Sequence, residues 1–305
     1  MKRKRFLSYE EQIELLESKN LHIGDKNYAI KKLKQFSYYS LITGYKDIFK
    51  IEKNGNYRDD ASFQKILYIY EFDSFLRTIF LQNLIRIEKH IKSLYSYSFC
   101  EIYGDEQNNY LDVNNYNYSK YQSGVNSLVS ILGDIINNSS KYKYVNYNIA
   151  TYGTVPLWII MQTLTFGNIS KMFQYSHQEL QSQIAKEFKN VYPHHLESML
   201  SVMSKFRNVC AHGERLYNYT TTKSIKKLNL YDIVDNYDPA SRNDLFSIVI
   251  CFKYLLEPSC YQELIRILVT IIDRLKNDLG NDYFSLVLDK MGFPENWKEI
   301  ALLDL

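Results

Sequence analysis

Residues 62–102 contain neither Pro nor Gly and keep a helical pattern throughout. That run is long enough for one bent helix or two abutting ones, and any fold must be built around it. Ile66, Tyr70, Phe72, Phe75, Leu76, Ile79, Phe80, Leu84, Ile87, Ile91 and Leu94 recur at broad three- and four-residue spacings. The segment is therefore expected to be buried on more than one side. Arg77, Arg86 and Glu88 interrupt its apolar character. Arg86 and His90 are four apart and share a helix face. An ion pair made by Arg86 or Glu88 accounts for these charges, and a second Arg–His site is the alternative.

The remaining elements read as helices too. Ser8 and Glu11 have capping-box spacing before an apolar stripe at Ile13, Leu15 and Leu16. Asp25 is placed to cap a second helix reaching about Phe36, which carries Lys31, Lys32 and Lys34. These lysines are either a solvated face or RNA-backbone contacts. The turn-rich KNGNYRDD at 53–60 is the first boundary. Residues 104–124 are polar and Asn/Tyr-rich and read as a loop or insertion, followed by a short amphipathic helix over 127–136. KYKYVNYN at 141–148 interleaves Lys141 and Lys143 with tyrosines, which suits an exposed strand or loop, or single-stranded RNA. Pro156 and Pro193 sit where proline opens a helix, and Gly167-Asn168 marks a break or cap. A short helix is expected over 178–189. A polar connector spans 220–244. Two apolar patterns, 245–256 and 261–275, flank Pro258 and close the bundle, and a helical tail surrounds Pro294 and Trp297.

Hydrophobic residues make up 46% of the chain, enough for a real core. Lys plus Arg is 37 against 34 Asp plus Glu, a net charge of +3, which argues against wholesale coating of nucleic acid and leaves room for a local basic patch. Tyr is unusually common at 28. An AT-rich genome is the simplest cause, and base-stacking tyrosines are the sharper alternative. Cys100, Cys210, Cys251 and Cys260 form no C-x-x-C pair and have no zinc spacing, so free thiols in a reducing compartment are expected and no metal or other cofactor is. The basic start lacks the apolar region of a signal peptide. The longest apolar run, 245–256, is interrupted by Lys253 and too short to span a bilayer. A cytoplasmic protein without membrane association is expected.

The chemistry concentrates in FRNVCAHGERLYN at 206–218, where Arg207, Asn208, His212, Glu214 and Arg215 follow the apolar positions Leu196, Met199, Leu200, Met203 and Phe206. Arg supplies a fixed cation and His a group that titrates near neutral pH. Together they can hold a phosphate and move a proton, the two needs of metal-free RNA cleavage. A surface salt-bridge pair or a helix cap is the plainer alternative. His194 and His195 lie about 26 Å from His212 on a straight helix, too far to share its chemistry. At about 100° per residue, Arg207 and His212 stand about 140° apart, so a regular helix cannot place them side by side. Either the helix is distorted near Gly213 or two copies of the motif meet across a symmetry axis.

Arg207-Asn-Val-Cys-Ala-His212 resembles the R-x4-6-H motif of the HEPN superfamily of ribonucleases, in which a polar residue often follows the Arg, as Asn208 does here. Four further segments resemble, in order, blocks of the Abi family of bacterial abortive-infection proteins, the AbiD/AbiF-like group. They are SYYSLITGY (37–45), YEFDSFLRTIFLQNLIRIEKHI (70–91), PLWIIMQTLTFGNISKMF (156–173) and MGFPENWKEI (291–300). The resemblance spans about 8–300, and five ordered blocks are far more specific than the Arg–His spacing alone. It implies an all-α, HEPN-like helical bundle in which two facing motifs of a homodimer form one ribonuclease site. Arg207 and His212 would then be catalytic, assisted by Asn208 and Arg215. It also implies an RNA partner, as substrate or as a regulatory non-coding RNA, with Lys31, Lys32, Lys34, Lys141 and Lys143 as candidate RNA contacts.

The expected organisation is an N-terminal helical extension (1–58), a HEPN-like helical domain (59–277) with a polar insertion near 104–154, and a C-terminal helical tail (278–305). The expected function is a metal-independent endoribonuclease acting as a phage-defence toxin. The alternatives are a non-catalytic RNA-binding or protein-interaction module that keeps the motif as a phosphate clamp, and a structural helical protein in which the motif merely caps a helix.

Overall fold

The computed structural model of the chain describes residues 5–51, 55–233 and 242–303. The basic cluster at 1–4, part of the 53–60 boundary and part of the 220–244 connector lie outside the described residues. Among the described residues the fold is all-α, and β-pairing is limited to three isolated bridges.

The capping box at Ser8 and Glu11 forms and opens α1 (Tyr9–Glu17). The Asp25 side chain accepts from Asn27 and Tyr28 backbone N–H groups and opens α2 (Lys26–Phe36). The SYYSLITGY block then makes a short π-helical turn over Tyr39–Thr43, followed by a 3₁₀ turn over Lys46–Phe49.

The Pro- and Gly-free run becomes one uninterrupted helix, α3 (Phe63–Tyr103), started by the Ser62 side chain and ended at Gly104, where φ is 89°. Its 41 residues span roughly 60 Å at 1.5 Å per residue. Buried positions lie on several of its faces, from Phe63 through Phe99. The other helices pack around this spine.

Residues 104–124 and 141–148 differ from the sequence expectation of a loop or strand, whereas the short amphipathic helix expected over 127–136 forms as part of a longer one. Residues 104–154 form α4 (Gln107–Leu111), α5 (Tyr118–Asn137), which is kinked at Tyr121, and α6 (Lys143–Tyr152). The physical reason is that tyrosines serve as core here. Tyr110 and Tyr116 are buried, and their hydroxyls donate to the Val155 and Tyr110 carbonyls at 2.7 and 2.9 Å. A buried tyrosine whose hydroxyl is satisfied contributes a large apolar face at little polar cost. KYKYVNYN is likewise helical over most of its length rather than a strand or loop. Val145 is buried beneath α6 and Ile149 is half-buried, at the i, i+4 spacing of a packed helix face.

Next come α7 (Leu157–Ile160) and α8 (Phe166–Tyr175). The break or cap expected at Gly167-Asn168 is a cap, a capping box between Thr165 and Asn168 that starts α8. After α9 (Gln178–Ala185), Pro193 opens α10 (Pro193–His212), and Gly213 ends it in the left-handed conformation at φ 69°. The polar connector contributes α11 (Leu230–Ile233). Then α12 (Leu245–Leu255), α13 (Pro258–Leu279), α14 (Asn281–Met291) and α15 (Trp297–Leu302) complete the bundle. Helices α7 to α10 and α13 all pack against α3, and α8 and α9 also pack against α10. No helix among the described residues is long and apolar enough to cross a membrane.

Candidate functional site

The motif lies in the last turns of α10, and the helix stays regular through His212. Phe206, Val209 and Cys210 are buried, while Asn208 and His212 are exposed. Burial pushes the Cys210 thiol up to about 12, and the Asp73 carboxylate adds to the effect. Cys210 is thus a packed, unreactive side chain inside the motif, and the four cysteines are all unbonded.

Arg207 turns toward α3. Its Nε donates to Glu88 Oε2 at 3.3 Å, and Glu88 Oε1 takes Lys92 Nζ at 2.8 Å. Lys92 Nζ also donates to the Leu164 carbonyl at 2.6 Å. The Glu88 and Lys92 side chains are each only 8% exposed, whereas Arg207 is 29% exposed. One edge of the guanidinium is therefore fixed by a buried carboxylate, and its terminal nitrogens have no partner among the described residues. A guanidinium held in this way can present its fork to a phosphate with little rotamer entropy left to lose.

A second buried carboxylate sets the path of the chain after the motif. Asp73, fully buried on α3, accepts from the Tyr45 hydroxyl at 2.6 Å, Arg77 Nη1 at 2.5 Å and the Tyr217 backbone N–H at 2.7 Å. The Leu216 N–H reaches both of its oxygens at 3.2 Å. Burial pushes the Asp73 carboxyl above the ordinary carboxylate range, and these donors pull against it. Arg77 rises through the same pairing, against its own burial, and also reaches the Glu214 carbonyl at 3.3 Å. Arg215 Nη1 donates to the Gly44 carbonyl at 2.6 Å. The residues just after His212 are thus clamped between α3 and the SYYSLITGY turn.

The structure brings Arg207 to Glu88 but leaves Arg207 and His212 on different faces of α10, since no distortion relieves the turn of about 140°. Asn208 lies on the His212 side, four residues away. Arg86 donates to Asn83 Oδ1 at 3.2 Å, and the His90 ring packs edge-on against Phe188 at 5.4 Å, so those two have separate partners. His195 is buried, and its imidazole is held below its ordinary value by burial and by neighbouring His194. Of the candidate RNA-contacting lysines, Lys32 pairs with Glu71 at 3.2 Å and Lys34 lies over the Tyr9 ring at 5.6 Å. Lys31, Lys141 and Lys143 are exposed. No group of three or more His, Cys, Asp or Glu side chains among the described residues is arranged to hold a metal ion.

The residues that sequence reasoning missed are Asp73 and Tyr45, together with the pairing of Glu88 to Arg207. Their signal was present as charge in phase with apolar stripe: Glu88 falls four after Leu84 and seven before Tyr95, and Asp73 falls seven after Ile66 and seven before Phe80. An acid at such a position must find a partner across the interface.

Comparison with curated proteins gives no match, and neither does comparison with solved structures. A family model does match, over residues 31–218, which contain the SYYSLITGY turn, all of α3 and the Arg207–His212 motif. The chain belongs to the family of Abi-like proteins, a membership that points to abortive-infection phage defence.

Proposed function

We propose that the protein is a metal-independent endoribonuclease of HEPN type, acting as the toxin of an abortive-infection system. In the cleavage step a ribose 2′-oxygen bonds to the adjacent phosphorus while the bond to the 5′-oxygen breaks. His212 takes the 2′-proton or returns one to the departing 5′-oxygen. Arg207 stabilises the charge that builds on the non-bridging oxygens. The products are a 2′,3′-cyclic phosphate and a 5′-hydroxyl. Asn208, on the His212 face, orients the imidazole or the phosphate.

The observation that carries this reading is the Arg207 guanidinium anchored at Nε by buried Glu88, with its terminal nitrogens unclaimed. A cation desolvated only to cap a helix would spend its outer nitrogens on carbonyls. The turn between Arg207 and His212 supports a site shared by two chains. A two-fold axis beside α10 brings a second Arg207 and His212 into one cleft through a single self-complementary surface. The same turn favours one rival, a phosphate clamp that binds RNA and does not cut it. The two differ in products.

The test is induced expression in bacteria with sequencing of RNA 5′ ends, comparing the natural chain with Arg207→Ala and His212→Ala. Both variants are expected to accumulate as folded protein, to lose toxicity and to lose the new 5′ ends. Full toxicity of either variant at equal abundance refutes the catalytic assignment, and retained RNA affinity without fragments from the natural chain establishes the clamp. Purified protein should cleave in EDTA, and a strict Mg²⁺ requirement with 3′-hydroxyl ends refutes the mechanism.

A further inference from the structure

Beyond the motif, α10 carries a second polar feature. Ser198, Ser201, Lys205 and Asn208 all fall within about 40° of His212 around the helix axis at 100° per residue. Lys205 and Asn208 are exposed, and the two serines are half-buried. This face runs from His212 back to a cleft of about 310 Å³ between α8, α10 and the connector that follows the motif. Ser170, Ser198, Ser201, Lys223 and Lys226 are among the residues that line it. Ser201 and Ser198 lie roughly 17 and 21 Å along the axis from His212.

The chemistry of the cleft suits an anion. Lys171 on α8 donates to Gln174, itself a lining residue, at 2.9 Å. Lys223 and Lys226 are exposed and line the cleft, and Lys171, next to lining Ser170, and Lys205, four after lining Ser201, flank it. Burial holds the Lys171 ammonium below its ordinary value, the charges of Lys223 and Lys205 push it the same way, and Glu197 opposes them. Glu197 is the carboxylate in the lining, and it accepts from Gln174 at 2.8 Å. Like charges crowded together on a folded surface are relieved when a polyanion binds. Hydroxyls beside lysines are the usual groups that hold phosphate oxygens. Ser170 and Ser201 supply them here, whereas the Ser198 hydroxyl donates to the His195 carbonyl at 2.8 Å and accepts the Lys226 N–H at 2.9 Å, which fixes the connector to α10.

We propose that this cleft is a phosphate-binding subsite for single-stranded RNA, and that the polar face of α10 carries the strand from it to His212. The inference rests on the ribonuclease reading and adds a second anchoring point, several nucleotides from the bond that is cut. It places the backbone contacts on Lys171, Lys205 and Lys223 rather than on the lysines of α2 or of the 141–143 segment.

The probe is an end-labelled, unstructured RNA oligonucleotide. Its binding to the full chain carrying His212→Ala is followed by fluorescence anisotropy between 50 and 200 mM salt. Replacing Lys171, Lys205 and Lys223 together by Gln should lower the slope of log affinity against log salt by about 2, at about 0.7 per lost single-strand contact. That corresponds to a loss on the order of 100-fold in affinity near 0.1 M salt. Lys276→Gln with Lys290→Gln, on α13 and α14, should change little. Affinity should also rise with oligonucleotide length until the strand spans both points. Equal binding by the triple variant and the control pair overturns the subsite, while the ribonuclease reading survives if the chain with His212 intact still cuts RNA. Absence of both binding and cleavage in the natural chain overturns the two together. If adenosine monophosphate binds as tightly as the long oligonucleotide, the cleft is a nucleotide site and the track along α10 is wrong.

Discussion

Removing Glu88 should cost far more than removing Arg207, although the two are partners. Glu88 is 8% exposed and holds two cations, one of which, Lys92, is as buried as itself. Glu88→Ala leaves Lys92 with the Leu164 carbonyl as its remaining partner and no counter-charge nearby. Breaking a buried pair from one side costs about 3–5 kcal/mol. At about 2–4 °C per kcal/mol for a chain of this size class, the melting temperature should fall by roughly 6–20 °C. Arg207→Ala removes a partner that is itself 29% exposed and leaves Glu88 still paired with Lys92, so its cost should be about 1 kcal/mol or less. The assay is thermal unfolding followed by far-UV circular dichroism on the two single variants and on Glu88→Leu with Lys92→Met. The double replacement removes both buried charges at once and should recover most of the loss. If Glu88→Ala melts within the range of Arg207→Ala, the buried pair does not hold α3 to its neighbours. If the double replacement is worse than Glu88→Ala, the cost was packing and not charge.

Asp73→Asn should destabilise by about 3–5 kcal/mol because Arg77 loses its counter-charge in the interior, and Tyr45→Phe by about 1.5–3 kcal/mol through one hydrogen bond to a charged acceptor. Urea unfolding of the double variant should show less than the sum, and strict additivity would refute a shared network. Gly213→Ala should cost about 1 kcal/mol through the left-handed backbone alone, since apart from its chain neighbours no atom lies within 4 Å of the added carbon; a larger loss in a melting experiment would contradict that open surrounding. With its thiol pushed up to about 12, Cys210 carries almost no thiolate at pH 8, and native protein should leave it unlabelled by a disulfide reagent until denaturant is added. Ribonuclease activity should fall with dilution as sedimentation reports dissociation, and a monomer with full specific activity at nanomolar concentration would refute the shared site.

The helical class was legible because α3 and α13 show their burial as three- and four-residue spacing of aliphatic residues, and several helix starts because Ser8, Asp25 and Pro193 are local signals, whereas Pro258 read only as a separator and in fact opens α13. Within 104–154 the helix over 127–136 was legible from its aliphatic positions, but the 104–124 stretch was not, because its core positions include Tyr110 and Tyr116. A tyrosine reads as polar loop composition until a carbonyl is found for its hydroxyl, and for Tyr110 that carbonyl belongs to Val155. The motif was visible as a string of residues, and so was the angle between Arg207 and His212, which is a property of any regular helix. The partner of Arg207 was not visible. Glu88 lies 119 positions earlier, and only the packing of α10 on α3 brings the two together. The lysines around the α8–α10 cleft come from three separate segments, so no window along the chain shows them as a cluster.

The clamp on the residues after His212 bears on how the chain matures on the ribosome. Leu216 and Tyr217 bond to Asp73, 143 and 144 positions earlier, and Arg215 bonds to Gly44, 171 positions earlier. Contacts of such long range close late, because loop entropy must be overcome before they contribute any stability. A nascent chain therefore carries the spine and its early turns long before the motif segment has anything to dock, and α13, which covers another side of α3, emerges later still. The segment that follows His212 can be locked only after every residue through Tyr217 has been made.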